Sequence, residues 1–164
     1  MIEDASSTTP SGARAAEAVG LAFQVVRTER PTSAEESAAL QGIELGQLLR
    51  TIVIRRSAAD YVFVLVPGGR QIDWLKLRTH LGVKRLSLPD ANEAKTATGY
   101  ERGAITPFGA THTWPVIADG SVRYHERVAI GAGAHGVNLH VGSSDLVDAL
   151  GAEVADVTRP DDRA

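Results

Sequence analysis

Cysteine is absent from this 164-residue chain, and with it go disulfides, thiolate catalysis and cysteine-ligated zinc. Any nucleophile must be another group. No apolar run approaches the 18 or more residues of a membrane span, and the amino terminus Met1-Ile2-Glu3-Asp4 is acidic where a leader would be basic. A cytoplasmic protein without a membrane partner is expected. No H-E-x-x-H or other helical histidine pair occurs among His80, His112, His125, His135 and His140, so neither a metal nor another cofactor is expected. Internal repeats and linkers are missing too, and the length fits one domain.

A positive balance is also lacking. The net charge of −3 argues against gripping nucleic acid by bulk electrostatics, and DNA is not an expected partner. The average conceals a pattern. Residues 1–49 hold 3 basic and 7 acidic side chains, residues 50–102 hold 10 and 5, and residues 103–164 hold 4 and 8, giving −4, +5 and −4. Ten mid-chain cations, from Arg50 to Arg102, could form a local patch for the end of an RNA; the bland alternative is ordinary solvated faces.

Hydrophobic periodicity and punctuation give the outline. Residues 1–12 are polar and read as a disordered tail, 13–157 as the domain, and 158–164 as a polar tail. Helices are expected over 13–19, over 34–41 with a Ser33-x-x-Glu36 capping box and Gly42 at its end, over 74–81 behind Asp73 with Gly82 closing, over 90–97, and from Ser143 or Ser144 to Leu150. Strands are expected over 21–26, 49–54, 61–66, 83–86, 113–117, 123–130, 137–141 and 153–157, with Asp119-Gly120 as a turn. The intermixing predicts a single mixed α+β domain around a central, largely antiparallel sheet with flanking helices.

Two glycine-rich stretches stand out. Gly131-Ala132-Gly133-Ala134-His135-Gly136 satisfies G-x-G-x-x-G, but Val137–Val141 behind it alternates like a strand, whereas a dinucleotide site needs a helix there. The stronger candidate is Thr98–Gly109, too glycine-rich for a helix and too irregular for a strand. Pro107 fixes a bend, and the N–H groups of Gly103, Ala104 and Ile105 are candidates to meet an anion or a developing oxyanion. A plain helix-to-strand connection is the alternative.

This run, Thr98-Gly99-Tyr100-Glu101-Arg102-Gly103-Ala104-Ile105-Thr106-Pro107-Phe108-Gly109, resembles the TGYxxGxxxPFG signature of the YbaK and prolyl-tRNA synthetase editing-domain family. Similarity continues at residues 33–39, 46–51 and 131–136, in the family's order, covering roughly Ala22 to Val157. The resemblance implies an editing-domain fold and a free-standing hydrolase that clears mischarged aminoacyl-tRNA in trans. It cleaves the ester to the 3′-terminal ribose without a metal, and a hydroxyl or thiol of the substrate takes part. Arg50 stands where members usually carry lysine. It keeps the charge and planar donors but cannot act as a base near neutrality. Some members have serine where Gly131 stands and aspartate where Asn138 stands.

Arg50 and Gly103 are accordingly the expected catalytic positions, with Thr51, Ala104, Ile105, Pro107, Gly131 and Asn138 as substrate contacts. The expected partner is the 3′ end of an aminoacyl-tRNA, with an aminoacyl-tRNA synthetase as a second. The competing class is a catalytically altered binding module for a tRNA end or a synthetase.

Overall fold

Residues 48–57 and 60–67 carry long apolar runs, and in the computed structural model, which describes residues 9–162, they become paired neighbouring strands. In chain order the elements are α1 (Ser11–Ala18), β1 (Phe23–Arg27), α2 (Ala34–Gln41), β2 (Leu48–Ser57), β3 (Asp60–Pro67), β4 (Arg70–Ile72) and α3 (Trp74–Leu81). There follow α4 (Ala91–Thr98), β5 (Val116–Asp119), β6 (Arg127–Gly131), β7 (Val137–Gly142), α5 (Ser143–Leu150), β8 (Glu153–Ala155) and β9 (Thr158–Pro160). Seven strands form one sheet in the order β1-β7-β6-β2-β3-β5-β8, and β4 pairs with β9 beside it.

The sheet is mixed. Junctions β1/β7, β7/β6 and β2/β3 are antiparallel and long, whereas β6/β2, β3/β5 and β5/β8 are parallel and only two or three residue pairs in register. Strand β3 lies deepest, because alternation sends its side chains into two cores. Phe63 and Leu65 join Leu49, Val53 and residues of α1, α4 and α5 on one side. Val62, Val64 and Val66 join Ile54, Ile72, Leu77 and Val157 on the other. Burying each such side chain contributes about 1.5–3 kcal/mol, so a strand covered on both faces is fixed in register.

Local chemistry sets the helix ends. Ser33, Asp73 and Asp90 each accept the backbone N–H three residues on, from Glu36, Lys76 and Glu93, and Gly42 and Gly82 close their helices with left-handed φ of +71° and +68°.

Several sequence expectations are corrected. Asp119-Gly120 does not join neighbouring strands: β5 pairs with β3, β6 pairs with β2 and β7, and a 3-10 turn over Gly120–Tyr124 starts the crossover. Asp119 is buried and accepts from the N–H groups of Ser121 (3.0 Å) and Val157 (3.1 Å), so it anchors a crossing instead of a hairpin. Burial pushes its carboxyl up, but those bonds and the Ser121 hydroxyl outweigh it and hold the pKa below its usual range.

Residues 83–86 form no strand; Leu86 packs against the core on one face of the sheet, and the next residue, Ser87, makes an isolated bridge to Arg55. The strand expected over 123–130 begins at Arg127, and the one over 113–117 begins at Val116. At the ends, α1 starts inside the expected tail, with the Gly12 N–H bonded to the Ala132 carbonyl at 2.9 Å, and Thr158–Pro160 is paired strand instead of tail. The rest of those tails, residues 1–8 and 163–164, lies outside the described residues.

Candidate active site at the gap between β2 and β6

The parallel ladder between β2 and β6 has only two pairs, Leu48 with Ala129 and Leu49 with Ile130. Beyond it the strands part, and the gap opens into a cavity of about 470 Å³, a volume in the range of small-ligand sites. Arg50 and Thr51 follow directly after the last pair, and Gly131 directly after Ile130, so all three line it. Asn138 reaches the same cavity from β7, where it stands opposite Gly131 in the register.

The remaining walls are loops and the first turn of α2. One is Arg102–Ile105 of the glycine-rich run, delivered by α4. Thr98 caps that helix by donating from its hydroxyl to the Ala94 carbonyl at 2.8 Å, and Gly99 leaves it with φ +82°. Gly103 has φ +90°, a conformation that side chains disfavour. The N–H groups of Gly103 and Ile105 find no acceptor among the described residues, whereas the Ala104 N–H bonds to the Glu101 carbonyl at 2.9 Å. The expected three free amides are therefore two.

A second wall is the segment from Arg30 to Ser37, which sequence reasoning missed. It is drawn in by a backbone bond from the Thr28 N–H to the Gly136 carbonyl at 2.8 Å, and a Cβ at Gly136 would lie 2.6 Å from the Thr28 carbonyl oxygen. The third is the turn around His135, whose ring lines the cavity and lies 3.8 Å from Glu101.

Pro107 is not among the residues that line the cavity. It lies between Thr106 and Phe108, both buried, and the Phe108 carbonyl accepts from the Tyr100 hydroxyl at 2.6 Å. Its role is the bend. The other expected residues, Arg50, Thr51, Gly103, Ala104, Ile105, Gly131 and Asn138, all come together around the cavity.

Among the described residues, Thr51 Oγ1 and Arg50 Nε are buried without a hydrogen-bond partner. Buried polar groups are normally paired, and both of these belong to residues that line the cavity. Arg50 is not wholly free, because Nη2 donates to the Arg70 carbonyl. Arg70 in turn donates from Nε to Thr158 Oγ1 at 2.7 Å and lies 3.7 Å from Asp119.

Behind the cavity, Ser37 accepts from Gln41 Nε2 at 2.9 Å, and Gln41 Oε1 meets His140 Nε2 at 2.9 Å. This chain ties α2 to β7. Burial first, then the charge of Arg127, holds the His140 pKa below its ordinary 6.5, so the ring is neutral near pH 7 and its Nε2–H donates to Gln41. Gly131–Gly136 lies between two strands, so no helix N-terminus is offered to a pyrophosphate. Among the described residues no three histidine, aspartate or glutamate side chains gather as metal ligands, and no helix is long and apolar enough to cross a membrane.

A family model described as the aminoacyl-tRNA editing domain matches residues 28–149, which takes in all three walls. The chain belongs to that family. This editing domain is 24% identical over 136 residues to a protein of Enterococcus faecalis named "Putative Cys-tRNA(Pro)/Cys-tRNA(Cys) deacylase EbsC", covering 83% of each. It is 30% identical over 138 residues to a proline–tRNA ligase of Xanthomonas campestris pv. campestris, matching 84% of this chain but only 24% of the ligase. Among solved structures, one titled "a putative trans-editing enzyme for prolyl tRNA synthetase" superposes with a TM-score of 0.82 at 25% identity, covering 92% of this chain and 98% of that one.

Proposed function

We propose that this editing domain hydrolyses the ester between a misattached amino acid and the 3′-terminal ribose of a tRNA, acting in trans in the cytoplasm. The observation that carries the reading is the convergence on one cavity of Arg50, Thr51 and the loop residues Gly103 and Ile105, whose N–H groups find no acceptor among the described residues. Near-complete overlap with the EbsC-like and trans-editing relatives supports action in trans.

The ester is already activated, so a site that holds its carbonyl suffices. The Gly103 and Ile105 amides stabilise the charge that grows on the carbonyl oxygen, each well-placed donor being worth about 2.7–4 kcal/mol in such sites. Thr51 binds the substrate beside them. Arg50 orients the carbonyl or the terminal phosphate and accepts no proton, since a guanidinium stays charged. Water attacks the carbonyl carbon, the bond to the ribose oxygen breaks, and the products are the free amino acid and the ribose hydroxyl; a hydroxyl or thiol of the substrate itself takes part by placing that water. Cavity size then excludes amino acids too large to enter, the first condition of an editing sieve.

One observation favours a second reading. Arg50 spends Nη2 on the Arg70 carbonyl, as a structural arginine would, and a binding module for a tRNA end or a synthetase needs nothing more. The deciding experiment is release of amino acid from tRNAs charged with alanine, cysteine, serine, threonine and proline, against a no-enzyme control. Selective release establishes the deacylase and names its substrate. No release by folded protein from intact RNA selects the binding module.

A further inference from the structure

Strand β2 serves two places. Its first half lines the cavity, and its last residues, Arg55, Arg56 and Ser57, line a second cleft of about 550 Å³ with Arg78 of α3 and the segment Lys84–Ser87. Five cations converge there. Two have carboxylate neighbours: Arg55 Nε lies 3.5 Å from Glu93, and Arg56 donates to Asp60 at 2.9 Å. The other three, the side chains of Arg78, Lys84 and Arg85, make no ion pair or hydrogen bond among the described residues. Arg56 Nε is buried and has no acceptor among the described residues.

The cluster is held in place, because Ser87 and Arg55 exchange both backbone hydrogen bonds, at 2.8 and 3.1 Å. It is also joined to the cavity. Two residues beyond Ser87, the Pro89 carbonyl accepts from Arg102 Nη2 at 3.1 Å, and Arg102 lines the cavity wall. Along β2, Arg55 follows Arg50 by five residues, about 17 Å at the rise of a strand. A few nucleotides of RNA span that distance.

We propose that this cleft is a phosphodiester-binding subsite for the RNA strand that leads away from the aminoacylated end. It rests on the deacylase reading above. The planar donors of arginine suit phosphate oxygens, and no aromatic side chain lines the cleft to stack a base. Contacts of that kind position an RNA without reading its sequence. The cleft therefore grips any tRNA, and discrimination lies elsewhere.

The test is the combined variant Arg78→Ala, Lys84→Ala, Arg85→Ala in the full chain. Fluorescence anisotropy with uncharged tRNA is measured over a salt series; losing three phosphate contacts lowers the slope of log K against log salt by about 2. With aminoacyl-tRNA, KM rises at least tenfold while kcat holds, and hydrolysis of 3′-aminoacyl-adenosine, too short to reach the cleft, keeps its rate. Arg78→Lys with Arg85→Lys, which retains the charge, preserves most of the binding. An unchanged salt slope in the folded triple variant overturns the proposal. So does an equal loss on tRNA and on aminoacyl-adenosine, which places the damage in the cavity, or loss of binding to polyglutamate alone, which assigns the cleft to an acidic protein. If the wild-type protein releases no amino acid from any tRNA, the deacylase reading fails separately, and the anisotropy slope still decides whether the cleft holds RNA.

Discussion

The two halves of the glycine-rich loop differ in what holds them. From Glu101 to Ile105 the chain keeps one internal bond, from the Ala104 N–H to the Glu101 carbonyl, and faces the cavity. From Thr106 to Gly109 it is clamped: the Tyr100 hydroxyl donates to the Phe108 carbonyl and meets Ser11 Oγ at 2.8 Å, which brings α1 into the clamp. Glycine means different things in the two halves. At Gly103 the missing side chain leaves the amide accessible; at Gly109 it lets Tyr100 and Ser11 close, because a Cβ there would lie 2.7 Å from the Tyr100 hydroxyl and 2.9 Å from the Ser11 carbonyl oxygen. A working surface thus hangs from a fixed frame.

The sharpest break comes from loading the frame. Gly109→Ala combines a clash with φ +74° and is expected to cost about 3 kcal/mol, read as a lower denaturation midpoint. A loss under 1 kcal/mol would mean the clamp is looser than it looks. Gly103→Ala is the counterpart on the working side. Among the described residues its Cβ would meet the His135 ring, 3.2 Å from Cε1 and 3.7 Å from Nδ1, so about 1 kcal/mol of stability should go while deacylation falls about 100-fold. Retained turnover in that variant would remove the amides from the mechanism.

Milder substitutions refine the contrast. Tyr100→Phe leaves the buried Phe108 carbonyl without its donor and should cost about 1–3 kcal/mol, with KM for aminoacyl-tRNA little changed. Thr51→Val runs the other way. Removing a buried hydroxyl that has no partner should leave stability level or raise it by about 1 kcal/mol, while activity drops. Loss of stability would show that Thr51 has a bond the cavity conceals.

The smallest effect is in pH. Because the folded His140 pKa lies below 6.5, the unfolded chain takes up that proton first as pH falls. The stability held by the neutral ring is complete above 6.5 and is lost as pH drops from there through the folded value. His140→Gln should flatten that part of a plot of Tm against pH between 7.5 and 5. An identical slope in both proteins would clear His140 of the effect.

Much of this was legible in the sequence, for identifiable reasons. Ser33, Asp73, Gly42 and Gly82 act within one helical turn of themselves, so their positions alone located the helices over 34–41 and 74–81. Gly103 was singled out by its glycine-rich run and the nearby Pro107, whereas Arg50, Thr51 and Asn138 were nominated through a family resemblance, which stores long-range placement that spacing does not express. What escaped depends on pairing between distant segments. Asp119-Gly120 carries a local turn signal, yet which strands become neighbours is decided by the two-sided burial of β3, and that places β2 and β3 between β5 and β6. Arg30 and Ser37 were missed because their approach to the cavity depends on the Thr28 contact with Gly136, more than a hundred residues away. Pro107 was included as part of the signature run, and it is not among the residues that line the cavity.

The short strand β9 ties residues 158–160 to the wall of the cavity. Thr158 takes the Arg70 side chain, and the Arg70 carbonyl takes Arg50, so two links connect the last described strand to the cavity. If Arg50 orients substrate as proposed, a substitution that unseats Thr158 from Arg70 is expected to lower turnover without touching any residue that lines the cavity.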